Sequence, residues 1–259
     1  MKAKKAHCPT FKEQTEVTIF EDTYIVTDLS HEISPNIPTL PGHLKTVMWR
    51  LLSHEDCIKS GLTKEPYSYQ TTGIILCDHT STHVDALNHV GLAQDARSID
   101  KLPFEWFITP GVWLDFSHKG PNAYITRTDI EEVIKKTEVK INPQSTVLIN
   151  TGWYIKWSSQ WEYAKNYPGL DRSATEYLND LGAINIGVDA FSTDSYYEVT
   201  QRKEQPMHMV CREREIMNME NLKNIDKIPK HEFWFIGLPL KFVGATGSPI
   251  RAVALTKKD

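Results

Sequence analysis

The chemistry of this chain is concentrated in one short segment. Asp78-His-Thr-Ser-Thr-His-Val-Asp-Ala-Leu-Asn-His89 holds three histidines and two aspartates within twelve residues. Neutral imidazoles and carboxylates together suit Zn²⁺, Mn²⁺ or Fe²⁺ better than Ca²⁺ or a soft thiolate-bound metal. A helix would place His79 and His83 on one face, four residues apart. Asp85 would then lie roughly 240° around from His79, at about 3.6 residues per turn. In an extended chain His79, His83, Asp85 and His89 share one parity and therefore one face. The spacing predicts an extended or irregular segment. The zincin pattern H-E-x-x-H is not met, because Thr80 stands where its glutamate would be. The ordinary alternative is that such histidines are satisfied core or surface residues, and spacing alone does not decide between the two.

A second patch offers one more imidazole and one more carboxylate. Glu204-Gln-Pro-Met-His208 is followed by Glu220 in Ile216-Met-Asn-Met-Glu-Asn-Leu222. In isolation Glu220 reads equally as a helix-capping acid, and His208 as a loop residue. His7, His54, His118 and His231 have no such company and read as solvated or capping residues.

The elements that must position these groups are mostly strands. Tyr24–Leu29, Gly73–Cys77, Gly111–Asp115, Ser145–Asn150 and Ala183–Asp189 are short apolar runs with strand character. A late strand pair is expected at Phe233–Leu238 and Arg251–Leu255. Helices are predicted over Thr128–Lys136, with Thr128 and Glu131 as a capping box, and over Ser173–Gly182, with Gly182 as C-cap. The prolines of Ser34–Gly42 predict a rigid loop. Strands outnumber helices without alternating strictly with them, so the fold class is mixed α/β with a partly antiparallel sheet.

Composition excludes several functions. The 259 residues carry 29 Lys+Arg against 33 Asp+Glu, a net charge of -4. That gives no basic footprint for nucleic acid or an anionic membrane. Trp, Tyr and Phe number 7, 10 and 9, heavy core material that argues against disorder. Cys8, Cys57, Cys77 and Cys211 form no C-x-x-C pair, so no zinc ribbon or thioredoxin-like motif is present. The basic N-terminus is followed by no secretory apolar run, and no stretch approaches the ~18 apolar residues of a membrane span. The default is a cytoplasmic protein. Repeats and linkers are absent, which predicts a single domain over residues 1–259. Gly244-Ala-Thr-Gly-Ser-Pro249 lacks the G-K-[ST] ending of a phosphate loop.

The segment His79-Thr-Ser-Thr-His-Val-Asp-Ala-Leu-Asn-His89 resembles the H-x-G-T-H-x-D-x-P-x-H signature of the cyclase-like metal-dependent hydrolases. Bacterial kynurenine formamidases and isatin hydrolases are members of that family. Asp28–His31 with Pro41-Gly42, Tyr167–Leu170, Gly187–Asp194, Pro206–His208, Glu220–Leu222 and Gly244–Arg251 look like its further blocks in order. Ser81 replaces the signature's glycine and Leu87 its proline, which puts the backbone placement of His83 and His89 in question. The resemblance implies a swivelling β/β/α domain, assembled as a homodimer or larger homo-oligomer. It implies His79, His83, Asp85, His208 and Glu220 as metal ligands and His89 as the acid–base residue. Five ligands exceed what one catalytic zinc takes while keeping a position open for water. Either a carboxylate bridges two ions, or one ion uses part of the set. Family members look binuclear with zinc or mononuclear with manganese, so Zn²⁺ or Mn²⁺, one or two per subunit, are both expected.

The implied reaction is hydrolysis of a C–N amide bond in a small aromatic amide, an aryl formamide or a cyclic amide such as isatin. A metal-dependent cyclase or dehydratase, and a degenerate metal-binding module, are the competing readings. A flat apolar pocket is expected, with the Pro35–His43 loop, Trp49 and Phe104–Phe107 as candidate walls. Lys45–Gln70 reads as a specificity loop or a surface insertion.

Overall fold

The computed structural model describes residues 11–91 and 97–259. The expectations placed on His7, Cys8 and the basic N-terminal segment lie outside the described residues.

Strands begin with β1 (Gln14–Ile19), β2 (Asp22–Asp28), β3 (Val47–Leu52), β4 (Thr71–Ile75) and β5 (His83–Asp85). They continue with β6 (Ile108–Asp115), β7 (Tyr124–Ile125), β8 (Ser145–Asn150), β9 (Gly169–Leu170) and β10 (Ala183–Val188). The last are β11 (Met217–Glu220), β12 (Glu232–Ile236), β13 (Gly247–Pro249) and β14 (Val253–Lys257). The α-helices are α1 (His54–Lys59), α2 (Arg127–Thr137), α3 (Gln160–Tyr163), α4 (Arg172–Asp180) and α5 (Pro206–Glu213).

Ten strands form one sheet in the order β1-β2-β14-β12-β6-β8-β10-β11-β5-β13. β6, β8, β10 and β11 run parallel at its centre, and the wings on both sides are antiparallel. The mixed, strand-rich fold class is therefore the observed one.

The centre is covered on both faces, so its strands read as apolar runs rather than alternating ones. All six residues of β8 are buried. Val147 and Ile149 pack with Ile130 of α2, Leu178 of α4 and Val210 of α5. Leu148 points to the opposite face, among Met217, Met219, Phe233 and Phe235.

The caps of both predicted helices differ from expectation. The capping box of α2 is Thr126 with Asp129, not Thr128 with Glu131. Both pairs have the right spacing, but strand β7 ends at Ile125 and leaves Thr126 extended, the backbone an N-cap requires. Helix α4 runs from the N-cap Asp171 to Asp180 and ends at Leu181, with Gly182 following at φ +114°.

Lys45–Gln70 belongs to neither core. Its strand β3 pairs only with β4, as a separate two-stranded sheet. Every residue of β3 except Leu52 is exposed.

Candidate metal centre

The centre lies at the carboxyl-terminal end of β11, where the parallel strands of an open sheet commonly leave a ligand crevice. β5 lies antiparallel beside β11, and the register pairs Asp85 with Asn218 and His83 with Glu220. Strand alternation then does the sorting. His83 and Asp85 share one face with Asn218 and Glu220, while Val84 is fully buried in the core behind.

The remaining donors come from turns and one helix. His79 sits in the turn before β5, beside Gly247. A Cβ there would lie 2.7 Å from the His79 ring, so only glycine lets the ring approach. His208 is on the first turn of α5, which opens with Pro206. The Asp194 carboxylate accepts from the Met207 amide at 2.7 Å and also binds the His208 ring. His89 closes a turn through its amide to Ala86 O at 3.0 Å.

These residues converge. His79 Nδ1 is 2.8 Å and His83 Nε2 3.4 Å from Asp85 Oδ1. His208 Nε2 is 3.4 Å from Asp85 Oδ2 and 3.3 Å from Glu220 Oε1. His83 Nε2 is 3.6 Å from Glu220 Oε2. The His89 ring lies 4.0 Å from that of His79 and 6.0 Å from that of His208, centroid to centroid. Two sets of donor atoms each close within 4.8 Å: His79, His83 and Asp85, and Asp85, His89 and His208. All six expected site residues are thus brought together, with His89 itself one of the second set.

Outer hydrogen bonds aim the imidazoles inward. His83 Nδ1 donates to Ser81 O at 2.8 Å, which leaves the Nε2 lone pair toward the centre. His208 is held the same way through Nδ1 by Asp194. His79 is held through its other nitrogen. Thr246 Oγ1 donates to Asp78 Oδ2 at 2.8 Å, so it accepts from His79 Nε2 at 2.9 Å and leaves Nδ1 free. Such partners set the tautomer of a ligating histidine.

Charge points the same way. Burial alone would push the carboxyls of Asp85 and Glu220 up and the imidazoles of His83 and His208 down. Their mutual proximity outweighs it, holding both carboxyls below and both imidazoles above their ordinary ranges. Two buried carboxylates therefore demand positive charge, which protons or a cation supply in competition. Asp85 Oδ1 is buried and accepts no hydrogen bond, although two imidazole nitrogens face it. Histidine and carboxylate donors around an orphaned anionic oxygen fit a divalent ion. Burial holds the His89 imidazole below its ordinary range, and so neutral at neutral pH.

Above the centre opens a cavity of about 330 Å³. Ile37 and Leu40 of the proline-rich loop line it, with His43, Val90, Tyr167 and Phe191. The loop was expected there, but the other candidate walls were not confirmed. Trp49 lies against Gly73 within the β3–β4 hairpin, Phe104 is exposed, and Phe107 is in the core. Aromatic content does not distinguish wall from core; tertiary placement does.

The two signature departures are resolved locally. Ser81 adopts φ +58°, the left-handed conformation a glycine would supply, and its hydroxyl lies 3.1 Å from both His31 O and Glu32 O. Leu87 occupies the second position of the Ala86–His89 turn, where proline is favoured, and buries its side chain in the core. Asn218, Thr246, Asp194 and Asn221 were missed as site residues. For Asn218 a signal existed, because it stands two residues before Glu220 and shares its face.

Fold and site together define a mixed α/β protein whose pocket floor carries a histidine–carboxylate cluster suited to a cation. The chain belongs to the putative cyclase family, whose sequence model matches residues 27–195. His208 and Glu220 lie beyond that span. The chain is 26% identical over 238 residues to the kynurenine formamidase of Salinibacter ruber, covering 90% of this chain and 98% of the relative. It is 26% identical over 196 residues to the isatin hydrolase of Roseibium aggregatum, covering 71% of this chain and 74% of the relative. An isatin hydrolase bound to the product analogue thioisatinate has the same fold, with a TM-score of 0.79 at 24% identity over 90% of this chain and 92% of that one.

Proposed function

We propose that the protein is a metal-dependent hydrolase that cleaves the C–N bond of a small aromatic amide, an aryl formamide or a cyclic amide such as isatin. The observation that carries this reading is the orphaned Asp85 Oδ1 facing two imidazoles, those of His79 and His83, which line the cavity. The relatives named above support the reaction class.

His79, His83, Asp85, His208 and Glu220 form the centre and would hold Zn²⁺ or Mn²⁺. A divalent ion there supplies Lewis acidity and lowers the pKa of water toward about 7. The chain's own residues do the rest. Ile37, Leu40, Tyr167 and Phe191 exclude bulk water and hold the flat part of the substrate against the floor. His89 takes the proton of the attacking water and delivers it to the leaving nitrogen, a role suited to an imidazole.

Two further expectations belong to this reading. The protein works as a homodimer or larger homo-oligomer, supported by exposed Val47, Met48, Trp49, Leu51, Ile74 and Ile75 on a hairpin with no core of its own. It resides in the cytoplasm, supported by free Cys57, Cys77 and Cys211. No helix among the described residues is long and apolar enough to cross a membrane.

The experiment is incubation of metal-loaded protein with isatin and with an aryl formamide, followed by product mass. Hydrolysis is expected to open isatin to a single product heavier by one water, and to split the aryl formamide into formate and an amine lighter than the substrate by the mass of CO. Loss of water without cleavage would establish the cyclase or dehydratase reading instead. Sedimentation of the purified protein tests the oligomer.

A further inference from the structure

We infer that the Tyr167 hydroxyl donates a hydrogen bond to the substrate and selects amides that carry a second carbonyl oxygen near the scissile one. The inference deepens the proposed hydrolase reading and rests on it for the place of the scissile bond.

Tyr167 lines the cavity and is only 2% exposed. A tyrosine so deeply buried ordinarily finds a partner for its O–H. Here no group among the described residues hydrogen-bonds to the hydroxyl, yet it is not sealed off from the cavity. Other polar groups around it are engaged. Glu220 Oε1 accepts from Ser192 Oγ at 3.0 Å, the Thr193 amide at 3.1 Å and Asn218 Nδ2 at 3.1 Å. Asn221 donates to Ser81 O at 3.0 Å and accepts from the Tyr163 hydroxyl at 2.9 Å. His43 and Gln205 also line the cavity, but one is half-buried and the other exposed, within reach of bulk water.

The ring is held in place. It packs against Phe191 and Tyr196, with centroids 5.9 Å and 5.5 Å away. Its own carbonyl accepts from the Tyr196 amide at 3.1 Å, and the Leu170 amide donates to Thr193 O at 2.8 Å. Between these bonds Gly169 abuts Asp194. A Cβ there would lie 2.3 Å from the Asp194 carbonyl carbon, so only glycine lets the two segments close. Asp194 also binds the His208 ring, so Tyr167 and the centre share one support. Burial, with the negative charges of Glu220 and Asp194, raises the phenol above its ordinary range and keeps it a donor.

The scissile carbonyl and the attacking water belong at the centre, beside His89. A hydroxyl on the cavity wall therefore meets a different atom of a flat ligand. Water can satisfy it while the cavity is open. A substrate that displaces this water must supply an acceptor or leave the O–H unpaired. An aryl C–H cannot accept, whereas a carbonyl oxygen can. Built to bond such an oxygen, the site disfavours the analogue that lacks it.

The test pairs ortho-acetylformanilide with formanilide, which differ by one ketone-bearing group. Metal-loaded wild type and Tyr167→Phe are compared by kcat/KM. Tyr167→Phe should lose about tenfold on the ketone-bearing formamide and stay within about twofold on formanilide. An equal loss on both would overturn the inference and put the hydroxyl on the scissile carbonyl. No loss on either would overturn it as well. Dissociation constants of the product amines, ortho-aminoacetophenone and aniline, give the same comparison without turnover by ligand-observed NMR. Only the first should weaken in Tyr167→Phe, and this comparison decides alone if wild type cleaves neither formamide. Wild type that cleaves neither formamide nor isatin would remove the hydrolase reading, while the amines would still decide the role of the hydroxyl. Tyr167→Phe should unfold in urea no earlier than wild type, since no protein group loses a partner. A marked loss of stability would show a structural role and overturn the inference.

Discussion

Glu220 is the cross-strand partner of His83. Each approaches the pocket floor from its own strand, and their side chains meet at 3.6 Å. A candidate metal-binding histidine and a distant carboxylate are thus joined by backbone register, not by a flexible loop. A one-residue slip of β5 would turn His83 and Asp85 away together. The following expectations rest on that geometry.

His83→Ala and His89→Ala should separate binding from turnover. His83 Nε2 lies between two buried carboxylates, so His83→Ala should lose the metal. His89→Ala should keep it and lose about 10²–10⁴-fold in turnover. Metal analysis beside kinetics on each variant checks this. Equal activity in His89→Ala and wild type would end its assignment as the base.

Thr246→Val should weaken metal binding without touching a ligand. The hydroxyl links Asp78 to His79 Nε2 and so keeps the Nδ1 lone pair aimed inward. Loss of such a partner typically costs 10–100-fold in metal affinity. Thr246→Ser should restore it. Chelator competition measures both, and unchanged affinity in Thr246→Val would show that the ring is held by packing alone.

Ser81 trades strain against hydrogen bonding. Its left-handed φ costs roughly 1–2 kcal/mol relative to glycine, and its hydroxyl contributes about 1 kcal/mol. Ser81→Gly should therefore leave stability nearly unchanged. Ser81→Ala keeps the strain, loses the bond, and should cost about 1 kcal/mol. Urea unfolding of the two variants distinguishes these outcomes.

Stability should fall between about pH 4 and pH 6 because of one buried acid. Burial pushes the Asp189 carboxyl up to about 6. Across that window the folded chain binds the proton that the unfolded chain has released, so folding weakens as pH rises. The full effect is about 3 kcal/mol, at about 1.4 kcal/mol per pH unit. Asp189→Asn keeps an oxygen for the Thr151 amide and hydroxyl while removing the titration. The wild-type-minus-variant difference in unfolding free energy should rise as pH falls from about 6 toward 4. A difference that is flat with pH would contradict the raised value.

Much of this was legible in the chain before folding. The Asp78–His89 segment declared its donors by residue type. Period-two spacing placed His83 and Asp85 on one face, and the structure makes them a strand. The apolar runs at Ser145–Asn150 and Ala183–Asp189 declared buried strands, because a sheet covered on both faces needs side chains apolar on both. These are local properties, set by residues within a few positions of one another.

Other features only the tertiary structure decided. Whether His208 and Glu220 were a loop residue and a capping acid depended on β11 pairing with β5, a contact between distant segments. For Asn218 the sequence offered only its place two residues before Glu220 on the same face; that its amide meets Asp85, His208 and Glu220 is decided by the folded chain. Trp49 and Tyr167 look alike as aromatic residues, yet one lies on an exposed hairpin and the other lines the pocket. Residue type and period determined which atoms this chain offers. Strand register and loop packing decided which of them meet, because convergence at a point depends on contacts between segments far apart in the chain.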